Sequence, residues 1–131
     1  MDKQIPPRLK HTFLVHAIMM GFFAFIYMVF PVWWGNLTGC LSRQVPQVYR
    51  LWGLTILGYA ITSLLAFRAK AWDEVRIVTQ MERIITALFP IGLLLALLFW
   101  DLPAIGWMPF VVMSGFAVAF NVFYPNTWSR A

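Results

Sequence analysis

The sequence predicts an all-α membrane protein: four transmembrane helices in an antiparallel bundle with both termini in the cytoplasm. Three observations lead there. Of the 131 residues, 61% are apolar and only 11% charged, with a mean hydropathy of +0.73. The charges lie between four long uncharged stretches, each near the roughly 20 residues that cross a hydrocarbon core about 30 Å thick. The Lys and Arg residues lie mostly on one side of those stretches. Unbroken apolar runs without period-two alternation exclude a transmembrane β-barrel and leave helices.

The composition also excludes several function classes. Four spans take up about 80 residues, which leaves no room for a separate soluble domain. A nucleic-acid-binding module is excluded despite a pI near 9.9, and a single Cys excludes a disulfide scaffold.

The first span is placed at Thr12 to Trp33, between a basic arm and Pro31 with the polar run Gly35 to Gly39. A lipoprotein signal is the competing reading, because Leu37-Thr38-Gly39-Cys40 fits a small-residue cleavage site. The apolar run, however, exceeds the 7 to 15 residues of a signal core. Residues 34–49 then form an irregular outer loop, in which Asn36-Leu37-Thr38 is a formal glycosylation sequon and Cys40 an outer-face thiol. The second span, Leu51 to Phe67, lies between Arg50 and Arg68, and the third, Ile84 to Trp100, between Arg83 and Asp101. Between them, residues 68–83 read as a short amphipathic helix on the cytoplasmic surface, with Trp72, Val75, Val78 and Met81 recurring every third residue. Asp101 to Ala104 is a tight turn into the fourth span, Ile105 to Tyr124. A single domain, residues 1–131, is expected.

Near the spans, eight Lys and Arg fall on the side of the termini and two, Arg43 and Arg50, on the other. The positive-inside rule then places both termini in the cytoplasm. Trp33, Trp34, Trp52, Trp100 and Trp107 cluster at the outer ends of spans as interfacial anchors, with Trp72 and Trp128 on the inner side.

Small residues four apart let helix backbones approach in lipid. Ala17 with Gly21, Gly92 with Ala96, and Gly115 with Ala119 supply one such pair on each of spans one, three and four, and span two has Gly53 and Gly58. These are the expected helix-packing positions, within the chain or toward another.

With these boundaries no Asp, Glu, Lys or Arg falls inside a span, which disfavours a pump or coupled transporter. The polar groups of the cytoplasmic third are His16, Thr62, Ser63, Thr86 and Asn121, with Glu82 at its edge one turn before Thr86. His16, Thr62, Glu82, Thr86 and Asn121 are the candidates to line a polar pocket for a quinone, lipid or pigment, with His16 and Asn121 its best hydrogen-bonding groups. The bland alternative is that these residues bond one another across helices. Catalytic residues, a metal site and a cofactor are not expected. His11 and His16 share a helix and cannot sandwich a haem, the spans are not expected to assemble a Ser-His-acid arrangement, and there is no Gly-rich phosphate loop.

The stretch Phe30-Pro31, Gly35, Tyr49-Arg50-Leu51-Trp52-Gly53, Leu57-Gly58, Ala66-Phe67-Arg68 and Trp72 is similar to small bacterial four-helix membrane proteins of the DoxX-like kind. It covers about a third of the chain. The resemblance implies a bacterial inner-membrane bundle and carries over no active residue.

The expected function is therefore that of a non-enzymatic integral membrane protein, an accessory or scaffold subunit of a larger membrane complex, for example a respiratory or photosynthetic one. Its partners would be lipids and other membrane subunits or copies of itself, not nucleic acid. A small-ligand protein holding quinone, lipid or pigment is the alternative, and a small-solute facilitator the third reading.

Overall fold

The computed structural model describes residues 4–40, 45–99 and 103–125. Lys3, Arg43, Trp100, Asp101, Leu102, Trp128 and Arg130, which carry part of the charge, turn and anchor readings above, lie outside the described residues. Within them the chain is helical, with a lone backbone bridge between Gln4 and Ala71. Four of the helices are long and apolar enough to cross a membrane.

Helix α1, Pro7–Val29, starts where Pro7 supplies a helical φ and has no N–H to orphan. It stops four residues before the expected end, because Pro31 disfavours a helical Phe30. Pro31 then opens a second, short helix, α2, Pro31–Thr38, which carries Trp33 and Trp34 off the first span. Its end is set by Gly39 at φ 72°, a left-handed conformation that glycine adopts without a Cβ clash. The Cys40 N–H closes that cap on the Gly35 carbonyl at 3.0 Å. The expected irregular loop is thus helical over much of its length.

Helix α3, Pro46–Arg68, again begins on a proline and starts before Leu51. Helix α4, Trp72–Phe99, is the largest departure from expectation. Residues 72–83 are not a separate surface helix but the first three turns of a 28-residue helix that continues into the third span. At 1.5 Å per residue it is about 42 Å long, more than a hydrocarbon core requires. A short 3-10 turn, Ala104–Gly106, leads into α5, Trp107–Val122.

The helices pair as α1 with α3 and α4 with α5. Along the first pair Tyr27 meets Tyr49, with ring centroids 5.8 Å apart, Gly53 lies against Ala24, Tyr27 and Met28, and His16 reaches Ser63. The two pairs come together near the end marked by Ile5, Trp72 and Tyr124, called here the basal end. There Leu9, Phe13, Ala66, Val75, Phe116 and Phe120 form the core. The buried side of α4 runs Trp72, Val75, Thr79, Glu82, Thr86, Pro90, in steps of three and four, and no buried side chain of α4 lies beyond Pro90.

Of the expected packing positions, Gly53 is the one where backbones come close. A Cβ there would lie 2.6 Å from Met28 Cγ and 3.1 Å from the Ala24 carbonyl oxygen. Ala17 is buried, and Ala96 and Ala119 are half-buried. Among the described residues, Gly21, Gly58, Gly92 and Gly115 have nothing within 4 Å of a Cβ position, so they mark no close approach of helices there. The four-residue spacing identified small residues but not the faces they occupy, because lipid-facing glycine follows the same spacing.

Candidate functional site

The best-defined polar cluster is His16 on α1, Ser63 on α3 and Glu82 on α4, each at most 2% exposed. His16 lies nine residues into α1, about 14 Å from its start. Its Nδ1 is 2.8 Å from Ser63 Oγ, and the Ser63 hydroxyl donates to Glu82 Oε1 at 3.1 Å. Glu82 Oε2 lies 3.8 Å from the same His16 Nδ1 and has no hydrogen-bond partner among the described residues. The spans thus bring a serine, a histidine and an acid together, contrary to expectation, but with Glu82 ionised the serine hydroxyl donates to the carboxylate and accepts from the imidazole. This is the reverse of the serine-to-histidine bond that activates a nucleophile.

The surroundings of the cluster are apolar or locally satisfied. Phe116 and Phe120 of α5 meet the His16 ring edge-on, at centroid distances of 4.7 and 5.6 Å, and Phe13 packs on Phe120 at 5.2 Å. On α4 the Thr79 hydroxyl donates to the Val75 carbonyl at 2.7 Å, and the Thr86 hydroxyl to the Glu82 carbonyl at 2.6 Å. Pro90 lacks the N–H that would otherwise reach the Thr86 carbonyl.

His16, Glu82 and Thr86 therefore come together, but the expected companions do not join them. Asn121 is exposed; its Oδ1 accepts from Arg83 Nε at 2.9 Å, and its Nδ2 donates to the Ala117 carbonyl. The Arg83 guanidinium also lies over the Tyr124 ring, 4.1 Å from its centroid. Thr62 is exposed as well, its hydroxyl donating to the Tyr59 carbonyl at 3.0 Å. On the α5 side His16 meets Phe116 and Phe120 rather than Asn121. The boundary that kept charge out of the spans also fails, since Glu82 is buried within a membrane-length helix.

Ser63 is the member the sequence reading passed over. It was one polar residue among several, and only its position five residues before Arg68, on the face of α3 turned to α1, sets it apart. Two open grooves lie nearer the basal end. One, about 460 Å³, is bordered by Thr62, Leu65, Arg68, Glu74 and Val78, and the other, about 360 Å³, by Gln4, Lys10, His11 and Lys70. Neither touches the buried cluster. Among the described residues no three His, Cys, Asp or Glu side chains gather as a metal site.

Trp33, Trp52 and Trp107 are exposed, as side chains at a headgroup boundary would be, and Trp34 is half-buried against Phe23 and Tyr27. Comparison with protein-family models, with curated proteins and with solved structures finds no match to this chain.

Proposed function

We propose that the chain is a non-enzymatic, multi-pass protein of a bacterial inner membrane that serves as an accessory or scaffold subunit beside a larger membrane protein. In this reading the four spans are antiparallel, the basal end with its Arg8, Lys10, Arg68, Lys70, Arg76 and Arg83 faces the cytoplasm, and both termini lie there.

One observation carries the proposal. Beyond Pro90, α4 buries no side chain, and Gly92 on that half has open space at its Cβ position, as does Gly115 on α5. Both glycines weaken their helices by roughly 0.5 to 1 kcal/mol relative to alanine, and among the described residues nothing approaches their Cβ positions. Closely approaching transmembrane helices of a partner would use them, since small residues carry helix association in lipid. The partner is accordingly apolar and membrane-spanning rather than a soluble domain.

The test is extraction from native membranes in mild detergent, with native mass spectrometry of the wild type and of a Gly92→Leu, Gly115→Leu variant. Recovery with a stoichiometric membrane partner, lost in the variant while the helical content is kept, is the expected result. Solitary, monodisperse wild-type protein would overturn the reading.

A second reading has its own support. The groove beside Thr62 joins a cation, Arg68, to apolar walls from Leu65 and Val78, a combination suited to a lipid or quinone held at the basal end. A discrete organic molecule released on denaturing the wild type, but absent from Thr62→Leu protein, would favour it over the subunit reading.

A further inference from the structure

We infer that His16, Ser63 and Glu82 form a proton-binding site within the membrane-spanning bundle, holding one proton that passes between imidazole and carboxyl through the Ser63 hydroxyl.

The bonding order leads to this. Ser63 donates to Glu82 Oε1 while its oxygen stands 2.8 Å from His16 Nδ1, so with Glu82 ionised the imidazole donates from Nδ1 to the serine. That arrangement is electrically neutral when His16 also carries a proton on Nε2. A second neutral arrangement uses the same atoms. The Nδ1–H bond breaks and its proton joins Ser63 Oγ; the original Ser63 O–H bond breaks and its proton joins Glu82 Oε1. Glu82 is then a carboxylic acid donating to Ser63, Ser63 donates to Nδ1, and His16 is neutral with its proton on Nε2. Two protons shift by one place each, no atom is gained or lost, and the site stays neutral throughout.

Neutrality is what the surroundings favour, because an uncompensated charge in a dry site costs several kcal/mol. The buried titratable side chains of the described residues are His16, Glu82, Tyr49 and Tyr124. Tyr49 packs on Tyr27 of α1, and Tyr124 lies under Arg83 and beside Gln80. Toward the cluster α5 presents Phe116 and Phe120, α3 presents Ser63, and α4 presents Thr79 and Thr86, whose hydroxyls are committed to backbone carbonyls. Arg83, adjacent in sequence to Glu82, is directed to Asn121. Balancing charge must therefore come from within the pair. The unpartnered Glu82 Oε2, 3.8 Å from Nδ1, sits where an imidazolium would offset it. An amide at position 82 would bond Ser63 equally well, so a purely structural bond does not call for an acid.

The experiment uses the full chain in lipid nanodiscs, titrated with pH while two probes are followed. These are the ¹⁵N shifts of the His16 ring and the infrared carbonyl stretch of the Glu82 carboxyl, assigned by its loss in Glu82→Gln. One transition with a common midpoint in both probes is expected in the wild type. In Ser63→Ala, with the relay oxygen gone, the transition is expected in only one probe, and circular dichroism checks that the helices persist. In Glu82→Gln, the ¹⁵N transition should move from its wild-type midpoint. Separate midpoints in the wild type, no transition over the pH range in which the protein stays folded, or an unchanged common transition in Ser63→Ala would each overturn the proposal.

Discussion

Arg83 donates from Nε to the Asn121 side-chain oxygen at 2.9 Å, tying α4 to α5 across the partly exposed edge of the basal core. The same guanidinium covers the Tyr124 ring, so one side chain makes a hydrogen bond and a cation–π contact to neighbouring turns. In a double-mutant cycle, Arg83→Gln with Tyr124→Leu is expected to show a coupling of about 0.5 to 1 kcal/mol, measured by unfolding in mixed micelles. Additive effects would show that the contact contributes nothing.

Gly53 and Gly58 lie on one helix and should answer the same substitution in opposite ways. A Cβ at Gly53 meets the Ala24 carbonyl at 3.1 Å and the Met28 side chain closer still, so Gly53→Ala must push α1 and α3 apart, at a cost of about 1 to 3 kcal/mol. Gly58 has open space. Gly58→Ala should be neutral or stabilise by up to about 1 kcal/mol, from helix propensity alone. Equal effects at the two sites in thermal unfolding would contradict the close approach.

Phe120 is fully buried and packs on both Phe13 and His16. Phe120→Ala is expected to destabilise the protein by about 3 to 5 kcal/mol, whereas Phe22→Ala, at a side chain 60% exposed, should cost far less. Denaturation in detergent compares the two, and a similar loss at both would place the core elsewhere.

Orientation is checked with the native thiol. Cys40 follows the cap of α2, at the end of the bundle away from Trp72. A membrane-impermeant maleimide should label it in cells with a permeable outer membrane and an intact inner one. A single thiol at position 70, from Lys70→Cys in a Cys40→Ser background, should react only after the inner membrane is lysed. The opposite pattern would invert the proposed topology.

The four spans are legible in the sequence because length and apolarity decide them. The true extent of α4 is not, and the reason lies in its buried face. The apolar residues Trp72, Val75, Val78 and Met81 suggest a period of three, yet the positions that go inside are Trp72, Val75, Thr79, Glu82 and Thr86. Val78 is half-buried and Met81 is 53% exposed. Three polar residues occupy the buried stripe, so a reading by hydrophobicity follows the wrong edge of the helix and treats Glu82 as its surface limit. His16 stood out at once as a lone polar side chain in an apolar run. Its partners depend on helix rotation, which no single span encodes, and Asn121 lies on an exposed face of α5, bonded to Arg83 instead.

The pairing of α1 with α3 and of α4 with α5 also bears on how the chain is made. Synthesis proceeds from the N-terminus, so both helices of the α1–α3 pair precede α4 in order of synthesis. His16 and Ser63 are therefore made before the acid that completes their cluster. Glu82 follows on a helix whose first turns carry Asp73, Glu74 and Arg76, and it bonds the serine of the earlier pair. The cluster is thus closed by the last of its three members to be translated, so a chain ending before α4 would hold His16 and Ser63 without their acid.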